Sequence, residues 1–263
     1  MRRDPSVSSG PVQTPRPRTL TAALLAVVLL LTACGGADED TAGSPETTAA
    51  DTSASVTPAA AETGRYEIAT ANVTGAVDIY PEAGATEPNE TISNPTEYDL
   101  PRVFLVAENQ GDWLKVWLPK RPNGTQGWVK ASDVTLDSTD YKLVVDVPGY
   151  TITLYDGDEV VEQFPVGTAQ ETYPTPPGTY FITDLLQPPD PDTVYGTYAY
   201  GLSGYSEVLT SFNGGDGQLG VHGTNKPESI GKQDSHGCVR LHNEDIEVLV
   251  PLLKLGTPVE IRT

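Results

Sequence analysis

Basic residues are scarce in this chain. Sixteen Lys and Arg stand against 36 Asp and Glu in 263 residues, a formal net charge of −20. Such acidity excludes nucleic acid as the partner, because phosphates demand Lys and Arg. It also excludes electrostatic adsorption on anionic lipid. Cysteine is scarcer still: there are two, enough for one disulfide at most. Histidine numbers three. No comfortable membrane span is present either. The longest apolar run, Leu20 to Ala33, is broken by Thr and falls short of the roughly 20 residues a spanning helix needs.

What is present near the start has a different use. "MRRDPSVSSGPVQTPRPR" carries four arginines and leads into that short apolar run, followed by small residues. A basic segment, a short apolar segment and a small-residue cut site read as a secretory signal over residues 1–33. The run ends in "LTAC", which resembles the bacterial lipoprotein signal, where cleavage falls just before the Cys. The resemblance implies a lipid on Cys34 and an exported protein anchored at the outer face of the cytoplasmic membrane, facing the cell wall. Cleavage there leaves 12 basic against 35 acidic residues, a net charge of −23. With Cys34 lipidated, Cys238 has no disulfide partner and stays a lone thiol in an oxidising compartment, a liability unless it has a task.

Residues 35–64 hold no Lys, no Arg and no aromatic residue, only Thr, Ala, Ser, Pro, Gly and acids with one valine. Such a segment cannot bury enough apolar surface to offset chain entropy, so residues 34–65 are expected to form a disordered acidic tether. A flexible chain of that length reaches about 30 Å. From Tyr66 onward, short apolar runs ("YEIATAN", "AVDIY", "RVFLVAE", "WLKVWLP", "GWVKASDV") are punctuated by Gly, Pro and Asn, which predicts a small all-β unit over 66–137. Trp113, Trp117 and Trp128 lie in it, either as core or as an aromatic platform. "DSTD", Asp137 to Asp140, reads as a boundary. Strands follow in "YKLVVDV", "YTITLYDGDEVVEQFPVG" and "TPPGTYFITDL", with a hairpin turn at "DGDE". Gln187 to Gly217 reads as one long irregular stretch, a lid or substrate wall. "QLGVHGTN" predicts a strand ending in a turn. Asn243 is a candidate helix N-cap for "EDIEVLVPLL", with Glu244 and Asp245 in the first turn, and "TPVEIRT" closes as a strand.

"DSHGCVRLHN", Asp234 to Asn243, concentrates one of the two cysteines and two of the three histidines. His222, His236, Cys238 and His242 are zinc-ligand types, but their spacing matches no common structural site. A buried inert thiol is the plain alternative. The third reading is a catalytic thiol, which needs an imidazole or another positive field to make it nucleophilic. His222 lies 16 residues away and meets Cys238 if the strand ending at His222 runs beside the one carrying Cys238. Backbone amides around His236, Gly237 and Cys238 are candidate oxyanion donors.

"HGTNKPESIGKQDSHGCVRLHNEDI" resembles the catalytic signature of the L,D-transpeptidases, with "TPPGTYFI" upstream and "GTPVEI" at the end. The similarity spans residues 141–263. It implies a mainly β fold, a β-sandwich with one or two short helices. It further implies Cys238 as nucleophile, His222 as base and acid, and His236 orienting or polarising the site. Gly223, Ser235, Gly237 and Arg240 would shape the loop or bind substrate, with Arg240 either holding a substrate carboxylate or bracing the loop. Some members carry Asn at the Arg240 position. The implied reaction joins a peptidoglycan tetrapeptide donor to an acceptor amine through a thioester, releasing D-Ala, with carbapenems acylating Cys238. No metal and no other cofactor is implied, and the protein is expected to be a monomer. The same acyl-enzyme could serve an L,D-carboxypeptidase or attach a protein to the wall. The non-enzymatic alternative is a wall-binding lipoprotein with an inactive catalytic fold. The 66–137 region resembles a bacterial Src-homology-3-like barrel on "DIYPEAG", "GDWLKVWLP" and "RPNGTQGWVKASDV".

Overall fold

The computed structural model describes residues 64–211 and 215–263. The expected signal peptide, Cys34 and the expected tether up to residue 63 lie outside the described residues. The regular structure of the described residues is almost entirely β-strand, with one short α-helix and two single 3₁₀ turns, as the sequence predicts for its fold class.

The N-terminal β region has seven strands: β1 (Tyr66–Ala71), β2 (Gly75–Ile79), β3 (Glu90–Asn94), β4 (Val103–Asn109), β5 (Trp113–Trp117), β6 (Gln126–Lys130) and β7 (Val134–Thr139). Five of them form a sheet in the order β6-β5-β4-β1-β7, and β2 and β3 form a separate hairpin. Tyr80 and Trp128 exchange both backbone hydrogen bonds and so tie that hairpin to β6. Alternation explains the inward face: Leu114 and Val116 of β5 are fully buried, together with Phe104, Val129 and Ile79. The β3 strand escapes a reading by apolar pattern, because "ETISN" carries one aliphatic residue. The tryptophans divide. Trp117 and Trp128 are buried, and Trp113 is half-buried, edge-on to Tyr80 at 5.0 Å.

"DSTD" is not a loop. Asp137 to Thr139 belong to β7, and Asp140 alone separates β7 from the next strand. The C-terminal region comprises β8 (Tyr141–Asp146), β9 (Thr151–Asp156), β10 (Glu159–Pro165), β11 (Thr168–Ala169), β12 (Gly178–Leu186), β13 (Ala199–Tyr205), β14 (Gln218–His222), β15 (Gln233–Ser235), β16 (Val239–Arg240), α1 (Asn243–Leu249) and β17 (Pro258–Arg262). Eight strands make one sheet in the order β10-β9-β8-β17-β12-β13-β14-β16, and β11 pairs with β15 in a small parallel ladder. The "DGDE" turn joins β9 to β10 through Gly157, at φ +59°. Leu143, Ile152, Ile182, Tyr200, Leu202, Val221 and Ile246 fill one core between the sheet and α1.

The stretch from Gln187 to Gly217 is not irregular throughout: it contains β13, a central strand. Its sequence, "AYGLSGY", looks like loop punctuation because glycine and serine interrupt it. The glycines answer a spatial demand. A Cβ on Gly204 would overlap the Tyr180 ring, and one on Gly201 would overlap the Asp184 carboxylate.

The two regions share an apolar cluster: Tyr66, Val103, Leu105 and Trp117 pack with Phe181 of β12. Lys254 donates to Asp137 Oδ2 at 2.6 Å and to the Ser138 carbonyl at 2.8 Å.

Candidate active site

β14 ends at His222 and runs parallel to β16, with Val221 opposite Val239 and His222 opposite Arg240. The His222 carbonyl accepts from the Leu241 amide at 2.8 Å, which secures the pairing just past Cys238. The imidazole and the thiol therefore come from adjacent strands at the edge of the sheet. Gly220 lies between them: a Cβ placed there would sit 3.8 Å from Cys238 Sγ and 3.9 Å from His222 Cδ2. Thiol and ring thus lie around the same backbone position, Gly220.

His222 is buried, and its Nδ1 lies 2.6 Å from the Gly223 carbonyl oxygen. A carbonyl only accepts, so Nδ1 carries the proton and Nε2 of the neutral ring holds the free lone pair. Burial lowers the His222 pKa. The Gly223 hydrogen bond opposes the shift, the Arg240 charge adds to it, and the result is a pKa pushed down to about 4. The ring is neutral at pH 7. Tyr195 stands edge-on to it at 5.2 Å.

Cys238 is a free cysteine, partly exposed. Burial of its sulfur pushes the thiol pKa up, against a backbone hydrogen bond with Gly220 and the Arg240 charge, which both pull it down. Both shifts favour the neutral thiol and the neutral imidazole.

The turn ahead of Cys238 is held internally. Ser235 is buried and donates its hydroxyl proton to the Cys238 carbonyl, while its oxygen accepts from the Gly237 amide at 3.3 Å. Thr175 donates to the Gly237 carbonyl at 2.8 Å. Gly237 has φ +122°, a conformation that favours glycine. The Gly237 amide, expected from sequence as an oxyanion donor, is therefore directed to Ser235 Oγ. His236 is exposed, with its ring against Tyr173 at 5.0 Å. Arg240 pairs with the exposed Asp234 at 3.2 Å.

Asn243 does not cap the helix with its side chain. His242 occupies the N-cap position, and Asn243 is the first helical residue. The Asn243 Oδ1 instead accepts from the amides of Thr224 at 3.0 Å and Thr197 at 3.3 Å. A Cβ on Gly196 or on Gly223 would overlap that oxygen. Asn243 thereby fixes the backbone just after His222 against the chain leading into β13. Sequence reasoning missed Asn243, Tyr195, Thr175 and Gly220. Asn243 was visible as a cap candidate, and the others carry no local signal.

Cys238 and His222 lie where two cavities meet. One, of about 770 Å³, runs between Glu97, Tyr98, Asp184 and Asp216. The other, of about 190 Å³, is lined by His236, Arg240, Ser235, Lys226 and Leu209. Tyr195, Gly217 and Gln218 border both.

Fold and site together define a mainly β protein with a cysteine–histidine pair at a sheet edge, at the junction of two cavities. Residues 140–261 match the family model of the L,D-transpeptidase catalytic domain, YkuD. The chain is 34% identical over 125 residues to the YkuD protein of Bacillus licheniformis, covering 48% of this chain and 67% of that one. Identity with the YkuD protein of Bacillus subtilis is 31% over 121 residues, 46% of this chain and 65% of the relative. Identity with the ErfK/SrfK protein of Escherichia coli is 29% over 193 residues, 67% of this chain and 59% of the relative. The chain thus spans about two thirds or less of these relatives' lengths. It belongs to the L,D-transpeptidase catalytic-domain family.

Proposed function

We propose that the protein is a cysteine-dependent L,D-transpeptidase that cross-links peptidoglycan stem peptides through a thioester acyl-enzyme. One observation carries the reading: Cys238 and His222 border both cavities, so the thiol and the imidazole are reached from two sides. Acyl transfer between two peptides needs a nucleophile open to a donor and, afterwards, to an acceptor.

The donor is a tetrapeptide stem. His222 Nε2 takes the Cys238 proton as sulfur bonds to the carbonyl of the third, diamino-acid residue. The peptide C–N bond breaks, and D-Ala leaves with the proton returned by His222. An acceptor amine then attacks the thioester: a new C–N bond forms, the C–S bond breaks, and His222 carries the amine proton back to sulfur. A neutral pair suits this sequence, because the base is unprotonated at rest and the proton moves only as the thiol attacks. The Cys238 amide, next in the turn, is the oxyanion donor in this reading. Arg240 borders the smaller cavity and draws both pKa values down, which supports a role in charge placement there. His236, at the rim against Tyr173, has a positioning role.

The proposed location is outside the cytoplasmic membrane, through a lipid on Cys34, with an acidic tether and a Src-homology-3-like barrel carrying the catalytic region into the wall. Intact mass after incubation with a tetrapeptide stem tests the chemistry: the acyl adduct is expected on wild type and absent from Cys238→Ala. An adduct that survives the substitution overturns the thiol assignment. Product masses separate dimers from the tripeptide of a carboxypeptidase.

A further inference from the structure

We infer that the N-terminal β region builds part of the active site, with Arg121 and Asn123 as positioning residues for the wall over Cys238. Both lie between β5 and β6, 82 or more residues ahead of their partners. Arg121 Nη2 donates to three carbonyls: Ser206 at 3.1 Å, Leu209 at 3.3 Å and Asp216 at 2.7 Å. Its guanidinium also lies 4.6 Å from the Tyr205 ring centre. Asn123 and Tyr205 exchange two hydrogen bonds of 2.8 Å, Asn123 Nδ2 to the Tyr205 carbonyl and the Tyr205 amide to Asn123 Oδ1. Tyr205 OH donates to the Pro119 carbonyl at 3.2 Å.

These contacts fall at or just after the end of β13 and just before β14, the two points where the chain leaves the sheet and rejoins it. The Ser206 amide donates to the Gly217 carbonyl at 2.8 Å, so the two points are joined. Gly217, at φ +83°, lies against Leu209 and Arg121: a Cβ there would overlap the Leu209 carbonyl and come within 3.2 Å of Arg121 Nη2. Leu209 and Gly217 border the smaller cavity, and Asp216 and Gly217 the larger. One cation from the N-terminal region thus holds atoms that line both approaches to the thiol. The same region also supplies Glu97 and Tyr98 to the larger cavity. A spacer domain would contribute to neither.

This inference rests on the transpeptidase reading for its substrate and on geometry alone for the wall. The purified protein is compared with Arg121→Ala, Arg121→Lys and Asn123→Ala. Two readouts are taken: kcat and KM for a tetrapeptide donor, and the ratio of Cys238 alkylation rates by iodoacetamide and by a bulky dye-maleimide. Arg121→Ala is expected to lower kcat/KM on the order of tenfold, chiefly through KM, and to shift the alkylation ratio, while iodoacetamide labelling alone stays within about twofold. Asn123→Ala is expected to move both in the same direction by less, and Arg121→Lys to recover part of the loss. Alkylation ratios and donor kinetics within twofold of wild type for both alanine variants overturn the inference. A wild type that alkylates at Cys238 but consumes no donor overturns the proposed reaction instead, and the alkylation ratio still decides the wall.

Discussion

The glycines of the N-terminal turns and the glycines beside the active site do different work. In the N-terminal region Gly75, Gly84 and Gly111 have positive φ, and a Cβ on any of them would meet no atom within 4 Å. They serve turn geometry, where an L residue is strained but has room. In the C-terminal region Gly196, Gly201, Gly204, Gly217 and Gly223 sit where a Cβ would overlap a side chain or a carbonyl. Those glycines serve close approach of chain to chain. The active-site strands are thus packed backbone to neighbour; Gly127 of β6 is placed in the same way, against Ile79, and the N-terminal turn glycines are not. Tolerance to substitution should differ accordingly.

The largest contrast is expected between Gly223→Ala and Gly75→Ala. The first drives a methyl into Asn243 Oδ1 and displaces the residue next to His222. Overpacking of this kind costs on the order of 1–3 kcal/mol, and a misplaced base lowers activity by about 10²-fold. Gly75→Ala, at φ +89° in open space, costs about 1–2 kcal/mol of backbone strain. Its activity per folded molecule should be unchanged. Thermal melts and donor turnover read both; equal activity losses would dissolve the distinction.

A second effect separates the site from an ion-pair thiol enzyme. His222 is neutral down to about pH 4, and the Cys238 thiol is raised by burial. The folded His222 pKa lies below the unfolded value near 6.5, so between those values the unfolded chain binds more protons and stability falls as pH drops. For catalysis the base is active wherever it is neutral. Acylation of Cys238 should hold level from about pH 5 to neutrality, fall about tenfold per unit below pH 4, and rise again as alkaline pH ionises the thiol. A maximum between pH 5 and 7 that falls on both sides would instead indicate a preformed thiolate–imidazolium pair. Stopped-time mass spectrometry across pH measures it.

Much of this site was legible in the sequence, and for a physical reason. Chemistry that needs a thiol and an imidazole leaves rare residue types, and with two cysteines and three histidines in the chain the candidates were few. The sequence left open whether the two strands lie side by side, which β14 and β16 do in parallel. What stayed hidden depends on distant neighbours. The β13 strand reads as a loop because Tyr180 and Asp184, far back in the chain, forbid side chains at two of its positions. Asn243 has the composition of a cap, yet its oxygen is drawn to Thr197 and Thr224. Arg121 carries no local signal at all, since its three carbonyl partners lie 85 to 95 residues onward.

The smallest predicted effect concerns Asp234, where the two kinds of packing meet solvent. Its carboxylate pairs with Arg240 at 3.2 Å, but Asp234 is 58% exposed while Arg240 is 13% exposed. An exposed partner in water contributes at most about 1 kcal/mol, so Asp234→Asn should scarcely move the melting temperature. Its electrostatic consequence has a definite sign. The Arg240 charge lowers the thiol pKa of Cys238, and a neighbouring carboxylate offsets part of that field. Removing the carboxylate charge while keeping a hydrogen-bonding amide should lower the thiol pKa further and raise the iodoacetamide rate at pH 7, by about twofold. A fall in that rate would mean that Asp234 acts by holding Arg240 in place, and the guanidinium would then belong with the closely packed, positioned groups of the site and not with its solvent-facing charges.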